Sequence, residues 1–267
     1  MTSATVQRLI PRRSAGARYR HSLWLLTSRD LRVRYSTSAL GYLWSILDPL
    51  AMSAIYWFVF TQVFGRGVGH EPYIVFLLTA LLPWTWFNGA VSDSTRAFLK
   101  DAKLVRSTAI PRSIWVGRIV LSKGIEFLLS LPVLALFAIA AGAEVSWQLV
   151  YFVPAILLQA GLTMGLGLII APLVVFFRDL ERAVKLVLRF AFYASPVIYG
   201  LGDLPGDFRT LGAFNPLAGI FSLYRAGFFP QELDWTAVGI STALTVVILA
   251  LGAVVFRRCE RAVLKEI

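Results

Sequence analysis

Histidine, cysteine and lysine are scarce in this chain: its 267 residues include two His, one Cys and five Lys. The single cysteine, Cys259, excludes an internal disulfide, and with only His21 and His70 beside it no metal site is expected. None of the lysines, at positions 100, 103, 123, 185 and 265, ends a G-x-x-x-x-G-K-[ST] loop, the arrangement whose backbone amides cradle nucleotide phosphates. Any ATP motor must therefore be another chain, and no cofactor is expected on this one. Acids are missing from the apolar stretches too. Only Asp48 and Glu126 are expected at membrane depth, in different stretches, so the paired carboxylates of an intramembrane enzyme are absent and no catalytic residue is assigned. Asp48 reads as the close of an opening turn before Pro49, and Glu126 as an i−3 partner of Lys123. Charged residues make up 15% of the chain and apolar ones 57%, above the roughly 45–50% of a soluble domain. With a mean hydropathy of +0.69, the chain reads as an all-α integral membrane protein.

The apolar residues are gathered into runs that can cross a hydrocarbon core of about 30 Å. Residues 1–20 carry Arg8, Arg12, Arg13, Arg18 and Arg20 among Pro, Ser, Gly and Ala. They have no apolar core or cleavage site of a secretory leader and read as a cytoplasmic tail near anionic lipid. Over residues 22–35, Leu23, Trp24, Leu26, Leu31 and Tyr35 share one side of a helix while Arg29, Arg32 and Arg34 reach toward headgroups, the pattern of an interfacial helix. Residues 40–64 form the first run, 25 residues with Asp48 as the only charge. A glycine-rich loop, in which His70 reads as solvated, leads to a second span over 73–97 that Pro83 is expected to kink unless its neighbours absorb it. Further spans are expected at 125–141, 147–177, 184–199 and 235–256. The fifth contains Lys185 and Arg189, which must snorkel or lie in the interface.

Charge orients these runs. The N-terminal region holds 8 of the 26 Lys and Arg, residues 96–123 hold 7, residues 178–189 hold 4 and the tail from Arg257 holds 4. The remaining loops hold only Arg66, Arg209 and Arg225. This bias predicts six spans with both termini cytoplasmic, and it accounts for the net charge of +11 without nucleic acid. The chain then divides into a cytoplasmic tail and interfacial helix (1–39), a six-span domain (40–257) and a second cytoplasmic tail (258–267). Residues 200–234, on the external side, exceed the length of an ordinary structureless loop and are cut by Pro205, Pro216 and Pro230 into pieces too short to span. Re-entrant or interfacial helices are expected there. Within the first span Tyr56, Trp57, Phe60 and Phe64 fall near one helical face. Flat rings can hold the C–H faces of a sugar by contacts on the order of 1 kcal/mol each, weak enough for sliding, so these four are the candidate substrate path.

Several short motifs follow one another in order. They are Arg29-Asp30-Leu31, Val33-Arg34-Tyr35, a run from Ser38 to Trp44, Asp48-Pro49-Leu50, Pro72 to Leu78 and Leu82-Pro83-Trp84. Leu104-Val105-Arg106, Pro111-Arg112, Arg178-Asp179-Leu180, Ser195 to Tyr199, Asn215-Pro216-Leu217 and Tyr224-Arg225 complete the series. Together they resemble the permease subunits of polysaccharide-exporting ATP-binding-cassette transporters, which export O-antigen, teichoic acid or, in actinobacteria, a lipid-linked galactan precursor. The resemblance implies a homodimer of this subunit joined to two copies of an ATPase subunit, which binds the ATP and Mg. The assembly would sit among the lipids of a bacterial cytoplasmic membrane and move a lipid-linked polysaccharide, such as cell-wall galactan or O-antigen, outward. Arg29, Asp30, Leu104, Arg106, Pro111, Arg112, Arg178 and Asp179 would then couple to the ATPase, and Leu211, Phe214, Asn215, Pro216, Phe221 and Tyr224 would belong to external re-entrant gate helices. The chain departs from the pattern at Ser107 to Ile110, where the family often has a lysine and aromatics, which bears on the detail of the ATPase contact. Two other readings stand beside this one: an exporter of drugs or small lipids in the same superfamily, and a proton-coupled secondary transporter. The second is opposed by the lack of paired acids and of repeated halves.

Overall fold

The computed structural model describes residues 14–36, 43–59, 70–108 and 110–266, and no strand occurs among them. Ten α-helices are described, in order α1 (Ala15–Ser36), α2 (Trp44–Trp57), α3 (Tyr73–Ser94), α4 (Ala102–Ser107), α5 (Ser113–Ala140), α6 (Phe152–Phe176), α7 (Leu180–Ala194), α8 (Asp207–Ala213), α9 (Ala218–Ala226) and α10 (Trp235–Glu266). Four helical stretches are long and apolar enough to cross a membrane: α3, α5, α6 with the 3-10 turn Trp147–Tyr151 that leads into it, and α10. The all-helical membrane architecture read from composition is what these elements form. Helices α2 and α7, with 14 and 15 residues, fall short of that length among the described residues. Phe60 and Phe64 of the expected substrate path lie outside the described residues.

Helix α3 is the axis of the bundle. It is apolar on every side, and Val75, Phe76, Leu77, Leu78 and Ala80 are wholly buried because helices surround it. Pro83 lies inside α3 without ending it, and the buried Gln159 of α6 donates to the Pro83 carbonyl at 2.8 Å. The Trp86 indole donates to the Val120 carbonyl of α5 at 3.1 Å and its ring stacks on Phe127. Helices α6 and α10 pack with their backbones nearly touching: a Cβ on Gly252 would stand 2.4 Å from the Gly165 carbonyl oxygen, and one on Gly165 would stand 2.8 Å from the Leu249 backbone. Small residues allow this approach where no water-driven force holds helices together. The large apolar side chains left exposed on α5 and α10, such as Leu129, Leu136, Ile139, Val246 and Leu251, suit a lipid solvent.

The basic segments converge on one end of the bundle. Helix α1 lies against the first turns of α5, where Leu23 and Tyr19 approach Gly117. Phe98, after α3, meets Phe256 near the last turns of α10. Two readings need correction here. Helix α5 begins at Ser113, so Arg118 and Lys123 ride on a helix rather than in a loop that extends to residue 123, because the apolar residues Ile114, Trp115, Val116, Ile119 and Val120 already bury its first turns. Trp24 does not share a packed face with Leu23 and Leu26: it is exposed beside Leu25, while Leu26 packs on the core.

Candidate functional site

At the basic end, four charges from three parts of the chain form a network. Arg118 of α5, only 2% exposed, donates to Asp101 at 2.5 Å and to Asp30 of α1 at 3.2 Å. Arg29 of α1 donates to Asp101 at 3.0 Å and to Asp30 at 3.3 Å. Burial alone would raise the Asp101 carboxyl, but the hydrogen bond and charge of Arg118, with those of Arg29, hold it below the ordinary carboxylate range. A second cluster ties the chain after α3 to α7: Arg96 and Lys185 both donate to Glu181, and these bonds lower its carboxyl to about 2. Both acids have lowered folded-state values. Their ionic stabilisation is therefore complete above the ordinary value of 4.5 for Glu181 and is lost as pH falls toward about 2. Between the clusters lies a cavity of about 860 Å³, walled by Arg29, Arg96, Asp101, Arg118 and Glu181 among others.

Of the residues expected to couple to a partner, Arg29 and Asp30 belong to this network, whereas Arg106, Pro111, Arg178 and Asp179 are exposed at the same end. Leu104 is half-buried and packs on the core, and Arg112 donates to the Ile110 carbonyl at 3.2 Å. Asp101, Arg118, Arg96 and Glu181 escaped the sequence reading. Asp101 and Arg118 stand 17 residues apart, and Arg96 and Glu181 stand 85 apart, separations that no helical periodicity connects. Glu126 does meet Lys123, at 3.0 Å, as its spacing predicted.

The second region lies midway along α3. Tyr56 of α2 stacks on Phe192 of α7 at 5.8 Å between centroids, and Phe192 meets the edge of Trp84 at 5.4 Å. With Leu81, Thr85, Tyr193 and Arg189 they wall a mostly apolar groove of about 350 Å³ between α2, α3 and α7. Trp84 stands about 16 Å from the Tyr73 end of α3 at 1.5 Å per residue, so the groove opens near mid-helix. Trp57, the next residue of α2, is exposed and is not among the residues that wall this groove. Trp84, Phe192 and Tyr193 lie on other helices, and spacing within one run could not have joined them to Tyr56.

At the end opposite the basic cluster, α7 stops at Ala194 and the chain continues without helix through Ser195 to Tyr199. Its backbone carbonyls need donors, and residues from the next segment supply them. Arg225 of α9, 1% exposed, donates to Val197 at 2.8 Å and Tyr199 at 2.9 Å, and its guanidinium lies 3.7 Å from the centre of the Phe76 ring. Asn215 donates to the Ala194 carbonyl at 3.1 Å and the Ser195 hydroxyl at 2.9 Å. The segment 200–234 is folded, with α8 and α9 both shorter than a span, in the manner its prolines predicted. Leu211 and Phe214 are exposed and Pro216 half-buried, whereas Phe221 and Tyr224 are wholly buried, with Tyr224 edge-on to Phe127 and Phe152 in the bundle core. His70 keeps part of its side chain exposed, as the solvated reading expects, and also pairs with Glu232 at 2.9 Å and stacks on Phe229, because the folded segment brings both against the start of α3.

The chain has relatives over most of its length. It is 34% identical over 239 residues to the O-antigen export system permease protein RfbA of Klebsiella pneumoniae, covering 89% of this chain and 92% of that one. It is 32% identical over 241 residues to the protein of the same name from Myxococcus xanthus, with coverage of 89% and 92%. Identity to the polysialic acid transport protein KpsM of Escherichia coli is 25% over 242 residues, with coverage of 88% and 92%. A family model described as ABC-2 type transporter matches residues 21–229, from within α1 to the end of the α9 segment, and so takes in both charge clusters, the aromatic groove and the broken end of α7. The chain belongs to the ABC-2 type transporter family, as a multi-pass membrane subunit.

Proposed function

We propose that this chain is the permease subunit of an ATP-driven exporter that moves a lipid-linked polysaccharide of the O-antigen class across the bacterial cytoplasmic membrane. The observation that carries the reading is the aromatic groove at mid-depth of α3, walled mainly by rings and apolar side chains, in a chain whose relatives are named for polysaccharide export. Six helices cross: α2, α3, α5, α6, α7 extended by residues 195–199, and α10, with α1 lying on the inner surface and both termini cytoplasmic. Two copies of the chain enclose the path, and two copies of an ATPase subunit bind ATP and Mg and dock on the basic end at Arg29, Asp30, Leu104, Arg106, Pro111, Arg112, Arg178 and Asp179. Residues 200–234 close the outer mouth through their exposed side chains, Leu211 and Phe214. The substrate path runs along Tyr56 and Trp57 and continues on Phe60 and Phe64.

Deleting the gene should trap lipid-linked glycan on the inner leaflet and remove it from the cell surface, and the wild-type chain should restore it. In the restored strain Trp57→Ala should cut surface glycan several-fold while leaving ATPase association unchanged, since each ring contact supplies on the order of 1 kcal/mol. Unaltered surface glycan in the deletion strain would reject the function, and normal export by Trp57→Ala would remove that residue from the path.

A further inference from the structure

Helix α7 carries its cations in one stripe. Arg182, Lys185 and Arg189 follow one another at steps of three and four, and Tyr193 continues the line by four more. Leu188, the buried residue of this helix, lies on another side and faces the core. At the lower end Lys185 is held by Glu181 at 2.6 Å, and Glu181 is in turn held by Arg96. Arg189, one turn of helix higher, is exposed and has no hydrogen bond or ion pair among the described residues. It does not reach back toward the basic end, because it lines the same groove as Leu81, Trp84 and Thr85 at the middle of α3. A cation held at that depth in an apolar wall is costly and persists where it meets a matching charge.

We infer that the stripe on α7 conducts the phosphate head of the lipid that carries the glycan, from Lys185 at the inner surface to Arg189 in the aromatic groove. The inference rests on the export reading above. Depth and charge select the occupant. The phosphate of an ordinary phospholipid stays at the interface, where Arg182 and Lys185 already stand, and a cation near mid-membrane serves only a head group that itself crosses. Guanidinium presents a planar pair of donors to phosphate oxygens. The rings of Tyr56, Trp84 and Phe192 beside it accept the adjoining sugar by stacking. Arg189 would thus bind the charged junction of the substrate while Tyr56, Trp84 and Phe192 take its apolar faces.

The test uses the full permease with its ATPase in phosphatidylcholine nanodiscs, with hexadecyl phosphate, hexadecanol and phosphatidylglycerol as probes and bound lipid counted by native mass spectrometry. The wild type should retain hexadecyl phosphate and not hexadecanol, and phosphatidylglycerol should compete poorly. Arg189→Gln should weaken retention about tenfold, the loss of one charge-assisted contact, while Arg189→Lys, which keeps the charge but not the planar pair of donors, should recover part of it. Undiminished retention in Arg189→Gln would overturn the inference, as would phosphatidylglycerol competing on equal terms, which would make the stripe an ordinary lipid site. The probes carry no sugar and the readout needs no transport. A chain that binds hexadecyl phosphate through Arg189 yet fails to restore surface glycan would therefore count against the export reading alone, and a chain that restores glycan but binds the probe without Arg189 would count against this inference alone.

Discussion

Arg225 shows how a single side chain holds open structure inside the packed bundle. A helix that stops inside a packed core leaves carbonyls that water cannot reach, and each orphaned group costs about 1–3 kcal/mol. Arg225 satisfies two of them, at Val197 and Tyr199, with the face of Phe76 beneath its guanidinium. Replacing it by methionine keeps the bulk and removes both donors. Arg225→Met should thus lose roughly 2–6 kcal/mol of stability on that accounting, seen as a lowered thermal unfolding midpoint in detergent and reduced yield. Arg225→Lys should recover part of the loss, since an ammonium still donates but cannot span both carbonyls in one plane. An unchanged midpoint in the methionine variant would show that the carbonyls find other donors. Asn215 repeats the logic one step earlier in the chain, at Ala194 and Ser195. The sequence marked both residues as parts of motifs, but nothing in their neighbours states which carbonyls they serve.

Among the helices, the contact of α6 with α10 is the one most exposed to a change of volume. Gly165 and Gly252 face each other, and any side chain on Gly252 would collide with the Gly165 carbonyl. Overpacking usually costs about 1–3 kcal/mol, and more where backbone rather than a movable side chain is struck. Gly252→Leu should force the helices apart and lower the unfolding midpoint sharply, whereas Gly239→Ala, where a Cβ would meet nothing within 4 Å, should leave it unchanged. Equal behaviour of the two variants would mean that α6 and α10 do not meet as described. The short helix α9 uses the same device: the Gly219 amide donates to Ser241 of α10 at 3.0 Å, and a Cβ there would lie 2.3 Å from the Ala237 carbonyl oxygen. The apolar runs of α6 and α10 were legible as spans from hydropathy. Their partnership was not, because glycines in an apolar run carry no record of the helix they face.

For the whole molecule, the fold collects the basic segments α1, α4, the start of α7 and the last turns of α10 at one end, the end that the distribution of Lys and Arg predicts to be cytoplasmic. Helix α10 has 32 residues, about 48 Å at 1.5 Å per residue, so its final turns extend past a hydrocarbon core of about 30 Å. Cys259 sits on them, half-buried. In intact cells a membrane-impermeant maleimide should leave Cys259 unlabelled until the membrane is opened, and labelling beforehand would invert the topology. The ionic clusters at this end tie α1 to α5 and the chain after α3 to α7, so a partner docking there would push on several spans through Arg118 and Glu181.

The sequence by itself determined the class of molecule. Hydropathy sets which segments leave water, positive charge sets which loops do not cross, and the missing phosphate loop places ATP hydrolysis elsewhere. These are properties of composition and one-dimensional pattern, and they survive any arrangement of the helices. The tertiary structure decided what stands beside what. Arg118 and Asp101 form their pair because α1, the chain after α3 and α5 meet there, and His70 meets Glu232 because the segment after α7 folds back against the start of α3. Tyr56 acquires Trp84, Phe192 and Arg189 as companions from two other helices. Periodicity reports the face a residue occupies on its own helix. It contains no term for the neighbour across the groove, which only packing in three dimensions selects.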